Sequence, residues 1–198
     1  EITEDRRTQI INAAIRRFSH SGITKTSMSE IADDVKISKA NLYYYFSDKW
    51  ALVEAIVNTL IEESDKEVED ILSRESGVEY FLLKMLDIKF EYFSKYQLLV
   101  QNLHDMNLQD ERFRQISCRV FEREQDTVAQ ILERGINSGQ LVTMDILSMS
   151  KLYTTILRGL AMYCIYETPG PYVDLDALRS VHEQQKAFVK VFMHGISL

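Results

Sequence analysis

The residues whose types and spacing could do chemistry lie between positions 24 and 49 of this 198-residue chain. Ser27-Met28-Ser29-Glu30 has the form of a capping box, in which a serine hydroxyl and a glutamate carboxylate satisfy the open amides of a helix start. Ser38 is a second N-cap, and Val35-Lys36-Ile37 between them is a tight turn. The chemistry on offer is hydrogen bonding and ion pairing to a polyanion. The hydroxyls of Thr26 and Ser27, with the free amides beside them, suit a phosphate oxygen. Ser38 and Lys39 open the next helix, nearest to base edges or backbone, and Asn41 can pair bidentately with adenine or reach a phosphate. The hydroxyls of Tyr43 and Tyr44 reach phosphates, and their rings suit a thymine methyl. Lys49 supplies a cation at the start of the following helix. Two short helices joined in this way have the layout of an element that enters the major groove of DNA.

Each of these residues also has a plainer role. Ser27 and Ser38 could be caps and nothing more. The Tyr43-Tyr44-Tyr45 run could be core aromatics, but three consecutive helical residues point too far apart to share one buried face. At least one is therefore expected on the surface. Arg16 and Arg17 read as solvated.

The elements that hold these residues follow from apolar periodicity. Ile10, Ile11, Ala14, Ile15 and Phe18 predict a first helix over about 3–20, stopped by Gly22 in a left-handed conformation. The two short helices start at Ser27 and Ser38, the second ending near Tyr45. A long helix follows, from Ser47 or Asp48 to about Ser73. Further helices are predicted over about 78–95, 97–106, 110–137, 144–166 and 174–196. Both prolines, Pro169 and Pro171, sit in one loop, which favours an all-α chain of about nine helices. The expected division is 1–48, a three-helix helix-turn-helix domain, and 49–198, a larger helical domain for ligand binding and dimerisation.

Charge is distributed unevenly. The net formal charge is −7, yet residues 1–50 sum to +1 and the remainder to −8. Screening beyond about 8–10 Å lets a near-neutral head bind phosphates beside an acidic body. Cys118 and Cys164 sit in apolar helical patterns and read as buried small residues in a reducing compartment. The first twenty residues are charged throughout, so no secretory signal is expected. No uncharged run approaches the roughly 20 residues that span a bilayer. A cytoplasmic, nucleoid-associated bacterial protein is the expectation. Native residues ahead of Glu1 are expected too.

Residues 7–52 resemble the DNA-binding domain of TetR-family transcriptional regulators. The matching positions are Arg7, Ile11, Ala14, Phe18 and Gly22; Thr26, Ser27, Met28, Ile31 and Ala32; and Ile37, Ser38, Leu42, Tyr43, Phe46, Lys49 and Leu52. The resemblance covers about a quarter of the chain. It implies that Tyr43, Tyr45 and Lys49 contact backbone phosphates. There are two departures. Lys36 stands where the family commonly has a glycine suited to positive φ, at a cost of roughly 1 kcal/mol. Ala40 replaces a common glycine and alters the base-facing surface.

In the body, the 144–166 helix is apolar around most of its circumference, so it must be covered on more than one side. A central position in a monomer core would do this. So would a two-fold four-helix interface made with the 174–196 helix, the arrangement that a two-fold operator requires. The resemblance further implies an inducer pocket. Its candidate lining is Phe81, Met85, Phe93, Leu103, His104, Phe121, Tyr153 and Met162, suited to a mid-sized apolar or aromatic effector. Nearby Asp87, Glu91 and Asp105 could select a cationic ligand or could equally be solvated. Induction would follow linkage through the long fourth helix.

Catalysis is not expected: the four histidines and two cysteines show no metal-ligand spacing, and there is no phosphate loop or partnered nucleophile. No cofactor is expected. The sequence therefore indicates a DNA-binding regulator, most simply a ligand-responsive repressor. A protein of this type acting mainly through protein–protein contacts is the alternative.

Overall fold

The structure, a computed structural model, describes residues 2–73, 77–99, 111–167 and 174–198. The described residues form eight helices: α1 (Ile2–Ser21), α2 (Met28–Asp34), α3 (Lys39–Tyr45), α4 (Lys49–Leu72), α5 (Val78–Lys95), α6 (Glu111–Asn137), α7 (Ile146–Glu167) and α8 (Leu175–Ile196). The predicted 97–106 helix falls mostly outside the described residues; 97–99 are helical. No described helix is long and apolar enough to cross a membrane.

The chain folds as two compact units. The first comprises residues 1–63 and 96–114, the second 64–95 and 115–198. The boundary between the two units lies within α4. The first unit buries Ile10, Ile11, Ala14 and Phe18 from α1, Ile31 and Ala32 from α2, Leu42 from α3, and Leu52 and Ile56 from α4. Leu99 joins this core at 1% exposure.

In the second unit the core gathers Phe81, Leu82 and Leu86 of α5, Val128, Ile131 and Leu132 of α6, Tyr153 and Leu157 of α7, and Val189 and Met193 of α8. Gln185 is buried and donates from Nε2 to the Leu157 carbonyl at 2.9 Å, tying α8 to α7. Gly139 ends α6 at φ 72, with Gln140 N–H donating to Gly135 O at 2.9 Å. The C-terminal residues then pair with this turn: Val142 N–H donates to Ile196 O at 3.0 Å and Leu198 N–H to Gln140 O at 3.3 Å. The Gln140 side chain accepts from Val78 N–H at 3.2 Å and so caps α5.

Candidate nucleic-acid interface

The positioning of α3 starts with three chain reversals that the sequence encodes. At the end of α1, Gly22 takes φ 84 and its N–H donates to Phe18 O at 3.0 Å, the single-bond αL stop. At the start of α2 the capping box is complete. Ser27 Oγ accepts from Glu30 N–H, and Glu30 Oε2 accepts from Ser27 N–H at 2.7 Å. Hydrogen bonds from the Ser27 N–H and then the Ser27 hydroxyl to Glu30 Oε2 hold the Glu30 carboxyl below the usual carboxylate range, against the opposing effect of burial.

The third reversal is the turn itself. Lys36 N–H donates to Asp33 O at 3.1 Å and Ile37 N–H to Ala32 O at 3.0 Å. This bond pair is the Schellman motif, and it needs a left-handed residue between helix and turn. Lys36 occupies that place at φ 55, the one non-glycine residue with positive φ among the described residues. Lysine there carries the strain that the sequence indicated. Ile37 packs onto the core behind it.

Charge then locks α1 against α2. Arg17 forks onto Asp34, with Nε to Oδ2 at 2.7 Å and Nη2 to Oδ1 at 2.6 Å, and Nη1 reaches Glu30 at 3.5 Å. The Arg17 hydrogen bond holds the Asp34 carboxyl below its usual range. Arg17, expected as a solvated residue, is thus a half-buried clamp. Arg7 lies over the Phe46 ring at 5.2 Å and ties α1 to the end of α3.

Within this frame α3 is anchored by one fully buried side chain, Leu42, and capped by Ser38, whose Oγ accepts from Asn41 N–H at 3.1 Å. The outward face carries Ser38, Lys39, Ala40, Asn41, Tyr43 and Tyr44, all exposed. Tyr44 is 80% exposed, so it is not a core aromatic. Tyr45 is half-buried, with its ring edge-on to Tyr44 at 5.4 Å. Lys39 Nζ lies over the Tyr43 ring at 5.9 Å. Lys25, Lys36 and Lys39 are exposed and form no ion pair among the described residues, so their charge is available to a polyanion.

Three site expectations change. Thr26 is 2% exposed and its hydroxyl donates to Gly22 O at 2.8 Å, so it closes the α1–α2 loop and cannot meet a phosphate. Ser27 Oγ donates to Glu30 at 2.8 Å, which places a carboxylate where an anion was expected. Lys49 is half-buried; its Nζ donates to Ile23 O at 2.8 Å and Thr24 O at 3.3 Å, binding α4 to the α1–α2 loop. An ammonium has three donors, so Lys49 keeps one for a phosphate. Lys25, exposed beside that loop, was not singled out by sequence; its place next to Thr26 and Ser27 was the available signal.

The candidate ligand residues of the second unit scatter. Phe81 and Tyr153 are core side chains, Met85 and Phe121 are half-buried, and Phe93 and Met162 are 37% and 51% exposed. Phe93 and Met162 thus leave the interior set, because their helices turn those positions outward. Leu103 and His104 lie outside the described residues. Burial, with Glu124 adding to it, holds the Tyr153 phenol far above its ordinary range. Asp87 is engaged by His182, Lys186 and Lys84 and is not open to a cationic ligand. Glu91 is exposed, and Asp105 lies outside the described residues. Cys118, expected to be buried, is exposed.

Residues 10–56 match the profile of the bacterial regulatory proteins of the tetR family. The chain is 26% identical to a transcriptional regulator from Cytophaga hutchinsonii ATCC 33406, with a TM-score of 0.85 over 96% of this chain and 97% of that one. Residues 10–56 are a TetR-family DNA-binding domain. Two HTH-type transcriptional regulators of Pseudomonas putida are also similar. SrpR is 24% identical over 193 residues, 95% of this chain and 82% of its own length. TtgR is 34% identical over 65 residues, 33% of this chain and only 31% of its own length. The higher identity is thus confined to part of the chain. The protein with this domain is a DNA-binding transcriptional regulator and not an enzyme.

Proposed function

We propose that this regulator is a ligand-responsive repressor that works in the cytoplasm and binds a palindromic operator as a homodimer. The observation that carries the proposal is the outward face of α3, where Lys39, Asn41, Tyr43 and Tyr44 stand exposed on a helix held by Leu42 and the Schellman turn. Lys39 and Lys49 would position the head on phosphates, while Asn41 and Ala40 would meet base edges. Ser38, Tyr43, Tyr44 and Tyr45 complete the DNA-facing set. Thr26 is not part of it.

Dimerisation through α7 and α8 is supported by what those helices expose. Leu152, Met162 and Tyr163 of α7 are 52%, 51% and 62% exposed, and Val191 of α8 is 72% exposed. Gly159 and Gly195 lie on the same outward faces, and a Cβ added at either would meet nothing within 4 Å. Mid-helix glycine costs about 1 kcal/mol relative to alanine. The protomer's own packing gives no reason for it, whereas close approach of a second backbone does. An effector that favours a conformer with badly spaced α3 helices would release DNA, by its differential affinity and no more. Helix α4, which contributes to both units, is the lever in this proposal.

The test is a mobility-shift assay with the DNA upstream of the protein's own gene. Specific, salt-sensitive binding by a dimer is the expected result. Binding no tighter than to random DNA would point instead to a role through protein contacts.

A further inference from the structure

His182 is buried where α8 packs on α5, yet half of its ring chemistry is unused. Its Nε2 lies 3.1 Å from Asp87 Oδ1. Phe90 stacks on the imidazole at 4.6 Å between centroids and 19° between planes. The residue is 8% exposed, and its Nδ1 is fully buried with no hydrogen-bond partner. A buried polar atom left in this way lowers stability, so an atom without a partner in the protein marks a place where a partner is missing. A second such atom, Ser94 Oγ, sits one turn beyond Phe90 on the same side of α5. Asp87 meets Lys186 at 3.2 Å, while Phe90, three residues on, stacks on His182, four residues back, so the two helices run antiparallel here. Phe90, which stacks on His182, and Ser94 are four residues apart on α5, a rise of roughly 6 Å, close to the span of one aromatic ring.

The neighbours define the chemistry. Asp87 accepts from Lys186 Nζ, His182 Nε2 lies 3.1 Å from the same oxygen, and Lys84 lies 3.6 Å from the other. A neutral imidazole with its proton on Nε2, facing that carboxylate, presents Nδ1 as a bare acceptor. A partner for Nδ1 must then donate a hydrogen bond. Two lysines against one carboxylate disfavour a cation, and the flat Phe90–His182 pair favours a flat ring. We propose that His182 Nδ1, aided by Ser94 Oγ, is the polar anchor of the effector site, and that the effector is an uncharged aromatic compound carrying a hydroxyl, a phenol in chemical class. This rests on the ligand-responsive reading above.

The test titrates the full-length protein by calorimetry with phenol and with anisole, which has the same ring but no donor. One hydrogen bond predicts about tenfold tighter binding of phenol. His182→Phe keeps a flat ring against Phe90 and should abolish the preference; His182→Gln, which retains an acceptor, should restore part of it. Equal affinities in the unaltered protein, a preference that survives His182→Phe, or no binding of either compound would overturn the anchor. Operator affinity is measured on the same preparations. If operator binding persists and another compound relieves it, the anchor is wrong and the repressor reading stands. Loss of specific operator binding in the unaltered protein strikes that reading instead.

Discussion

Glycine-to-alanine replacement at two helical positions separates what the protomer's packing demands from what a partner demands. Gly135 lies in α6, and a Cβ there would stand 2.5 Å from Val78 Cγ2 and 2.7 Å from Leu141 Cδ1. Gly159 lies in α7 with open space around it. In both helices alanine gains about 1 kcal/mol of intrinsic propensity. At 135 the overlap costs about 1–3 kcal/mol, giving a net loss of up to about 2 kcal/mol. At 159 the gain stands unopposed in the protomer. For a chain of this size, 1 kcal/mol corresponds to roughly 2–4 °C in melting temperature. Gly135→Ala should therefore melt several degrees lower, and Gly159→Ala a few degrees higher when compared at concentrations that favour monomer. Gly159→Leu should leave the protomer folded but raise the dimer dissociation constant at least about tenfold, read by sedimentation equilibrium. Equal stabilisation by both alanines would refute the packing around Val78 and Leu141. A Gly159→Leu protein that dimerises as the unaltered one does would refute the α7 interface.

Two further outcomes follow from the head. Lys36→Gly removes the left-handed strain of about 1–2 kcal/mol but frees the unfolded chain by about 0.4–1 kcal/mol; chemical denaturation should show a net gain of up to about 1.6 kcal/mol, and a loss would mean that the turn is not strained. Asp34 and Glu30 both have carboxyls held below their ordinary values of 3.8 and 4.5. Their contribution is thus full above those values and is lost as pH falls through the depressed range. Arg17→Ala should lower the melting temperature at pH 6, and that difference should shrink toward pH 3; a difference independent of pH would show that the fork is not what Arg17 supplies.

Most of the head was legible because its signals are local. The α1 stripe, the Ser27–Glu30 box, the Ser38 cap and the Gly22 stop each specify a boundary within a few residues. The structure places α2 and α3 directly after the expected caps. The strain at Lys36 was expected from the resemblance, which implies a glycine at that turn position. What could not be read depends on distant partners. Arg17 is held by residues 13 and 17 positions away, and Lys49 by carbonyls 26 and 25 positions away. Residues 96–99 join the first unit because Leu99 fills its core, which no periodicity announces. In the body, aromatic and methionine positions were recognised as a class, but period alone did not assign the outward face to Phe93 and Met162. The partnering of Asp87 by three residues across α5 and α8 was likewise invisible in the chain order.

The central claim, that the exposed face of α3 reads DNA, is tested most directly by titrating labelled upstream DNA with the unaltered protein and with Lys39→Ala and Tyr44→Ala at several salt concentrations. Neither side chain supports the core, so both variants should stay folded. The account predicts that Lys39→Ala weakens binding and reduces the salt slope by about one per protomer, and that Tyr44→Ala weakens binding without a comparable change in slope. Unchanged affinity in both variants, with the fold intact, would contradict it.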